Sequence, residues 1–179
     1  MSNRAYIFQS ERLGFRKWIE SDRALFASLN ADPVVMEFFP APLTSSETDQ
    51  FIERIEKQFD DYGYGLYAVD SFEDNSFIGF IGLSHPRFES PFTPCVEIGW
   101  RLAKEYWNRG FATEGAAACL EYGFSVLGLD EILSFTATHN TRSENVMKKI
   151  GMQKIGEFDH PALPGSWLER HVLYQKQKD

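Results

Sequence analysis

Residues 102–115 read Leu102-Ala103-Lys104-Glu105-Tyr106-Trp107-Asn108-Arg109-Gly110-Phe111-Ala112-Thr113-Glu114-Gly115. The apolar–polar alternation of Val96–Leu102 predicts a strand that runs into this stretch, and a helix is predicted over Ala112–Val126. The amide groups of a first helical turn lack partners and carry partial positive charge. Small residues such as Gly110 let a ligand approach them closely. The junction is therefore compatible with a phosphate or pyrophosphate site, and equally with an ordinary strand–loop–helix connection.

Two common nucleotide-binding loops are excluded. The chain contains neither the G-x-x-x-x-G-K-[ST] pattern of P-loop proteins nor the G-x-G-x-x-G pattern of dinucleotide-binding folds. An unrelated phosphate-binding α/β enzyme is therefore a weak alternative.

The other elements alternate in an α/β manner. Further strands are predicted at Leu13–Trp18, Leu66–Val69, Phe77–Leu83, Ile132–Thr138, Gln153–Phe158 and Arg170–Tyr174. Further helices are predicted after Ser21-Asp22, at Val34–Met36, from the capping box Thr44–Glu47 to Gly63, and over Ser143–Ile150. This order indicates an α/β (α+β) fold in one domain spanning residues 1–179, with a mixed, largely antiparallel sheet and helices on both faces.

Charge and composition exclude several classes of partner. A formal net charge of −8 argues against nucleic acid binding through bulk electrostatics. It would suit a cationic partner such as an amine, or would only keep the protein soluble. Two cysteines and four histidines show no metal-ligand spacing, so no metal is expected. The chain has no apolar run typical of a secretion signal or a membrane span, so a cytoplasmic protein without a membrane partner is expected.

Three segments carry a resemblance to a known family. Glu97–Leu102 followed by Trp107-x-x-Gly110-x-Ala112 resembles motif A of the GNAT N-acetyltransferases, with Trp107 where the motif usually has Gln or Arg. Asn140–Met152 and Ser10–Arg16 resemble segments of the ribosomal-protein N-terminal acetyltransferase (RimJ/RimL-type) branch. The resemblance spans almost the whole chain.

The resemblance implies a GNAT fold whose six- to seven-stranded sheet is splayed at two central parallel strands. Pantetheine would pair with the Glu97–Leu102 strand, and the pyrophosphate would rest on amides of residues 108–113. Coenzyme A contacts are then expected from Ile98, Trp100, Leu102, Trp107, Asn108, Arg109, Gly110, Phe111, Ala112, Thr113, Asn140, Asn145 and Lys148. Additional positive charge would come from Arg101, Lys104 and Lys149.

The resemblance also implies a reaction. An acetyl group would move from acetyl-CoA to a primary amine, either a protein N-terminal α-amine or a small-molecule amine, by direct attack in a ternary complex. Glu97 is the candidate base, unless it pairs with an arginine, and Ser143 is the candidate donor to the leaving sulfur, unless it only caps a helix. His85 is a further candidate for proton relay. The alternative function is a non-catalytic acyl-CoA sensor of the same fold, and either protein would be a monomer or homodimer.

The acceptor pocket is expected to form from early helices and loops. Its candidate apolar residues are Trp18, Met36, Phe38, Phe39, Tyr64, Phe88 and Phe92.

Overall fold

The computed structural model describes residues 5–178. Residues 1–4, where the sequence predicts no secretion signal, lie outside this range. The strands are β1 (Phe8–Gln9), β2 (Leu13–Arg16), β3 (Leu66–Ser71), β4 (Ser76–Ser84), β5 (Glu97–Leu102), β6 (Glu131–Ala137), β7 (Gln153–Asp159) and β8 (Arg170–Gln177). The helices are α1 (Asp22–Ala31), α2 (Ser45–Tyr62), α3 (Phe111–Ser125) and α4 (Thr141–Lys149), and a short 3₁₀ turn, Lys104–Tyr106, follows β5.

One mixed sheet organises the protein. Its strand order is β1-β2-β3-β4-β5-β6-β8-β7, and every neighbouring pair is antiparallel except β5 and β6. These two parallel strands pair at Glu97 and Leu133, where the Leu133 amide donates to the Val96 carbonyl at 2.9 Å, and then diverge. Ser134 Oγ donates to the Ile98 carbonyl at 2.9 Å just beyond this point. The mixed α/β fold splayed at its central parallel strands is confirmed.

The strand count differs from the expected six or seven because β1 adds an eighth strand. Two residues are too short to show an alternating pattern. Tertiary packing defines this strand, since the Phe8 ring stacks on Phe15 with centroids 4.2 Å apart and on Tyr122 at 4.3 Å.

The predicted short helix at Val34–Met36 is wrong. This segment forms turns, in which the Met36 amide donates to the Asp32 carbonyl and the Val34 amide donates to the Asp32 carboxylate. The Asp32 contacts resemble those of a helix N-cap, but the Phe39 amide then donates to the Met36 carbonyl three residues back, so a helix does not continue.

The helices lie on both faces of the sheet. On one face, Phe26 of α1 and Phe51 of α2 contact Phe80 of β4, with ring centroids 5.9 Å apart in each case. On the other face, α3 packs closely because Gly115 has no side chain. A Cβ at that position would lie 2.3 Å from Ile81 Cδ1.

The predicted limits of α2 are confirmed. Thr44 Oγ1 accepts from the Glu47 amide at 3.2 Å, and the Glu47 carboxylate accepts from the Thr44 amide at 2.7 Å, which completes a capping box. The helix ends at Gly63, whose φ of +78° lies in the left-handed region that glycine favours. Among residues 5–178, no helix has the length and apolar character needed to cross a bilayer.

Candidate active site

A cavity of about 1090 Å³ opens where β5 and β6 diverge. Its walls come from β5, the first turn of α3, Ser134–Thr136 of β6, the start of α4 and one side of α2. The sheet thus leaves a gap between two strands, and helices on both faces border it.

The start of α3 presents backbone amides to this cavity. Gly110 precedes the helix with φ +82°, and no side chain in the described part of the protein caps it. The first-turn amides of Phe111, Ala112 and Thr113 have no acceptor within the helix. Gly110, Ala112 and Thr113 all line the cavity. This arrangement fits a pyrophosphate group, because amides and the helix dipole both favour negative charge there.

A clamp from the N-terminal segment holds the first turn of α3. The Glu114 carboxylate accepts from Arg12 N at 2.8 Å, from Arg12 Nε at 2.7 Å and from Ser10 Oγ at 2.7 Å. The Arg12 guanidinium also lies 4.4 Å from the centroid of the buried Phe111 ring. Sequence reasoning missed this clamp, because its members lie about one hundred residues apart along the chain.

Trp107 fixes the loop before α3. Its Nε1 donates to the Leu102 carbonyl at 2.8 Å, at the end of β5. The Arg142 guanidinium, from the first turn of α4, lies 4.5 Å from a Trp107 ring centroid. Trp107 therefore connects the end of β5 with the start of α4 beside the cavity.

Most of the residues predicted to bind coenzyme A gather at this cavity. The lining includes Ile98, Trp100, Leu102, Trp107, Asn108, Gly110, Phe111, Ala112, Thr113, Asn140 and Asn145. It also includes both candidate catalytic residues, Glu97 and Ser143.

Several predicted cations do not reach the cavity. Arg109 pairs with Glu73, and Lys148 pairs with Glu144 at 3.3 Å. Lys104 pairs with Asp32 at 2.6 Å. The neighbouring Lys149 lines the cavity instead of Lys148, because one residue of helical rotation separates the two side chains.

The residues that were expected to form the acceptor pocket fall into three groups in the structure. Phe38 and Phe39 line the cavity. Trp18, Met36 and Tyr64 are buried in the interior. Phe88 and Phe92 contact the rings of Phe135 and Phe158.

Glu97 is a half-buried carboxyl at the first position of β5. Burial raises its pKa to about 8, and Ser84 Oγ, 3.5 Å from Glu97 Oε2, only weakly opposes this shift. Within the described residues, no arginine or lysine forms an ion pair with Glu97. Such a carboxyl can take up a proton near neutral pH.

His85 lies in the loop after β4 and also lines the cavity. Its Nε2 is 3.0 Å from the Tyr64 hydroxyl, and its ring stacks on Tyr62 with centroids 4.0 Å apart. Burial lowers the His85 pKa, so its imidazole is predominantly neutral at neutral pH.

Asn140, and not Ser143, caps α4. Asn140 Oδ1 accepts from the Ser143 amide at 3.2 Å, and the helix begins at Thr141. Asn140 Nδ2 donates to Ser143 Oγ at 3.1 Å and to Thr136 Oγ1 at 2.9 Å. The Ser143 hydroxyl thus accepts a hydrogen bond from Asn140 and keeps its own proton for a group in the cavity.

Known proteins resemble this chain over most of its length. Residues 12–153 match the acetyltransferase (GNAT) domain family. The uncharacterised N-acetyltransferase YoaA of Bacillus subtilis is 29% identical over 155 residues, which cover 84% of each chain. A GNAT-family acetyltransferase from Bacillus anthracis has a solved structure with 28% identity and a TM-score of 0.78, covering 94% of this chain and 96% of that one.

The ribosomal-protein-S5-alanine acetyltransferase of Vibrio fischeri is a more distant neighbour. It shares a TM-score of 0.76 at 18% identity, over 96% of each chain. At that identity the likeness shows a common fold alone, so membership in the ribosomal-protein branch stays a prediction. The family match over residues 12–153 and the cleft between β5 and β6 agree on the broader assignment: the chain belongs to the GNAT acetyltransferases, enzymes that take their acetyl group from acetyl-CoA.

Proposed function

We propose that this protein transfers the acetyl group of acetyl-CoA to a primary amine by direct attack within a ternary complex. One observation carries the proposal. Glu97 forms no ion pair and the Ser143 hydroxyl donates no hydrogen bond within residues 5–178, and both line the same cavity as the first turn of α3. A proton acceptor and a proton donor therefore lie on the two diverging sides of one cleft.

The donor would lie along β5. Its pyrophosphate would accept hydrogen bonds from the first-turn amides of α3, where Gly110 leaves space. Its pantetheine arm would pair with the backbone of β5 in the gap that opens beyond Glu97 and Leu133. The thioester would then lie between Glu97 and Ser143.

The two side chains would divide the proton transfers. An alkyl amine is mostly protonated at neutral pH and must lose a proton before it attacks the thioester carbonyl. Glu97, with a pKa of about 8, would accept that proton directly or through water. Ser143 would donate a hydrogen bond to the departing sulfur while Asn140 Nδ2 holds its oxygen in place.

A screen of acceptors tests the proposal. Purified protein with acetyl-CoA is incubated with a panel of primary amines, and free thiol release is followed together with the mass of each product. Transfer of the acetyl group to at least one amine would support the proposed acetyltransferase activity. Tight acetyl-CoA binding without acetylation of any amine would instead support the alternative function, a non-catalytic acyl-CoA sensor.

Acetyl-CoA alone should bind and stabilise the protein in the presence of a chelator. Binding to the native state at 100 times Kd adds about 2.7 kcal/mol to the free energy of unfolding, which thermal melting readily detects. Calorimetry with EDTA and acetyl-CoA provides the independent measurement. Absence of heat and of a shift in Tm at millimolar ligand would contradict the assignment of the cleft.

Ser143→Ala is expected to lower kcat roughly ten-fold to a few hundred-fold, the range for one hydrogen-bond or proton donor. Its Tm should change little, because Ser143 does not cap α4. Thr44→Ala is the structural control, because it removes the N-cap of α2 outside the cavity lining; it should cost about 1 kcal/mol of stability and leave kcat unchanged. If Ser143→Ala keeps the wild-type kcat and Tm, Ser143 takes no part in the reaction.

A further inference from the structure

The two faces of β5 serve different halves of the cavity. Phe80 pairs with Arg101, and Phe80 packs against α1 and α2. Opposed residues of antiparallel strands share a face, so Arg101 projects towards α1 and α2. Ile81, which α3 contacts at Gly115, pairs with Trp100 on the other face. Arg101 is therefore separated by the sheet from the α3 helix that would cradle the pyrophosphate.

Arg101 is a buried cation that has no carboxylate partner in the described part of the chain. Its residue is 8% exposed, its Nη1 donates to Asn30 Oδ1 at 2.7 Å, and its Nε has no partner within residues 5–178. Its guanidinium lies 4.1 Å from the Phe39 ring centroid. Burial lowers its pKa to about 9. An unpaired buried charge is costly, because it has lost its water without gaining a counterion.

Arg16, a second arginine that is buried among the described residues, shows how this protein pairs a structural cation. Arg16 is 2% exposed, and it pairs with Asp22 at 2.6 Å and with Asp70 at 2.7 Å. The fold therefore neutralises Arg16 internally. It leaves Arg101 at the wall of the cavity, where a bound molecule can supply the missing negative charge.

The cavity is cationic although the chain carries a net charge of −8. Its described lining contains six lysine and arginine side chains, which are Arg54, Lys57, Arg87, Arg101, Arg142 and Lys149. Asp61 and Glu97 are its acidic members. Asp61 pairs with Lys57 at 3.0 Å and Arg142 pairs with Glu37 at 2.6 Å, which leaves four of the six cations without an ion pair among the described residues. The raised pKa of Glu97 reduces its charge at neutral pH. The lining thus offers little to the additional ammonium groups of a polyamine.

Glu97, Gly99 and Arg101 form one row on the same face of β5, because side chains alternate along a strand. Four residues of strand span about 13 Å between the Cα atoms of Glu97 and Arg101. Above Gly99 the row is open, since a Cβ there would meet nothing within 4 Å. A molecule lying over Gly99 can place one end at Glu97 and the other near Arg101.

We propose that the acceptor is an amine that also carries a carboxylate, and that Arg101 binds this carboxylate while the amine lies at Glu97. The inference rests on the proposed function and specifies its substrate class. The distance along β5 favours molecules whose amine and carboxylate are several bonds apart, such as ω-amino acids and short peptides. The charge of the cavity sets this class apart from polyamines.

Matched pairs of acceptors test the inference. Initial rates with saturating acetyl-CoA are measured for 6-aminohexanoate and triglycine, for the carboxamide of each, and for spermidine. In the wild type, kcat/KM for at least one carboxylate should exceed that for its carboxamide by about 10- to 100-fold, the worth of a hydrogen-bonded charge. Spermidine should be a poorer substrate than the preferred carboxylate.

Variants then test whether Arg101 causes this preference for carboxylates. Arg101→Gln should reduce the carboxylate-to-carboxamide ratio to near one, while Arg101→Lys should keep part of it. Neither should change the Kd of acetyl-CoA, since Arg101 lies on the face opposite α3. Arg23→Gln is the control, because Arg23 is an ion-paired arginine outside the cavity lining. It should retain the wild-type ratio.

The outcomes separate this inference from the proposed function. If the protein acetylates amines without preferring carboxylates, or if the preference is unchanged in Arg101→Gln, the proposed role of Arg101 is wrong. The proposed acetyltransferase activity would still stand. Calorimetry of N-acetyl-6-aminohexanoate and its amide with the coenzyme A complex covers the case without turnover. There, a carboxylate preference lost in Arg101→Gln supports the binding site, and equal affinities overturn it.

Discussion

Replacing Glu97 with Gln is expected to lower kcat by about 100- to 10,000-fold, the usual contribution of a general base. Gln has nearly the same size and cannot take a proton from the amine. The Kd of acetyl-CoA should stay close to the wild-type value, because the first-turn amides of α3, where the pyrophosphate is proposed to bind, are unchanged. Single-turnover rates and calorimetry on the same preparation measure the two quantities separately.

The pH dependence should identify the group. A base acts when deprotonated, so wild-type kcat should rise with pH and level off above the Glu97 pKa of about 8. Glu97→Gln should lose that inflection and keep only the rise that comes from the amine itself. Persistence of the inflection near pH 8 in this variant would assign it to another group, and His85 would be the next residue to replace.

Stability provides the control for Glu97→Gln. The carboxyl has a higher pKa in the folded protein than its ordinary value of 4.5, so the folded state holds this proton more strongly. Its contribution to stability is therefore present below pH 4.5 and is lost as pH rises towards 8. Glu97→Gln removes that loss, and its Tm at pH 8 should equal or exceed the wild-type Tm. A marked fall in Tm would mean that reduced activity reflects misfolding.

Gly110→Asp is expected to weaken acetyl-CoA binding by about 100-fold, since placing like charges together costs several kcal/mol. The new carboxylate would lie beside the first-turn amides of α3, where the pyrophosphate is proposed to bind. Calorimetric titration with acetyl-CoA measures the loss.

Backbone strain has to be separated from this charge effect. Gly110 has φ +82°, so any side chain there costs stability, and a Cβ would lie 3.4 Å from Arg12 Nη2. Gly110→Asn carries the same strain without the charge, and Asn and Asp both tolerate the left-handed region. Equal affinities of the two variants for acetyl-CoA would show that Gly110 is needed for the backbone alone.

The local elements of this fold could be predicted from the sequence. Thr44, Glu47 and Gly63 define α2 through neighbouring residues only, and the structure confirms each limit. The junction from β5 to α3 could also be predicted, because a strand, a glycine and a helix follow one another in a single continuous segment, from Glu97 to Ser125. The resemblance around Trp107, Gly110 and Ala112 identified the family, which the match over residues 12–153 confirms.

Helix capping and side-chain direction were harder to predict from the sequence. Ser143 was a reasonable N-cap from composition, yet Asn140 holds that place three residues earlier. Lys148 and Lys149 have the same chemistry, and only the helical rotation sends Lys149 into the cavity.

The sequence by itself determined the α/β class, the family and the order of the elements except for β1 and the turns at Val34–Met36, because these features depend on periodicity and on motifs within short segments. Only the tertiary structure decided the charge states and partners of the site. Glu97 has a raised pKa and Arg101 lacks a carboxylate because of what surrounds them, and their neighbours come from distant parts of the chain. Burial and pairing are properties of the folded environment and not of the residue. The net charge of −8 therefore said nothing of a cavity whose charged lining residues are mostly cations.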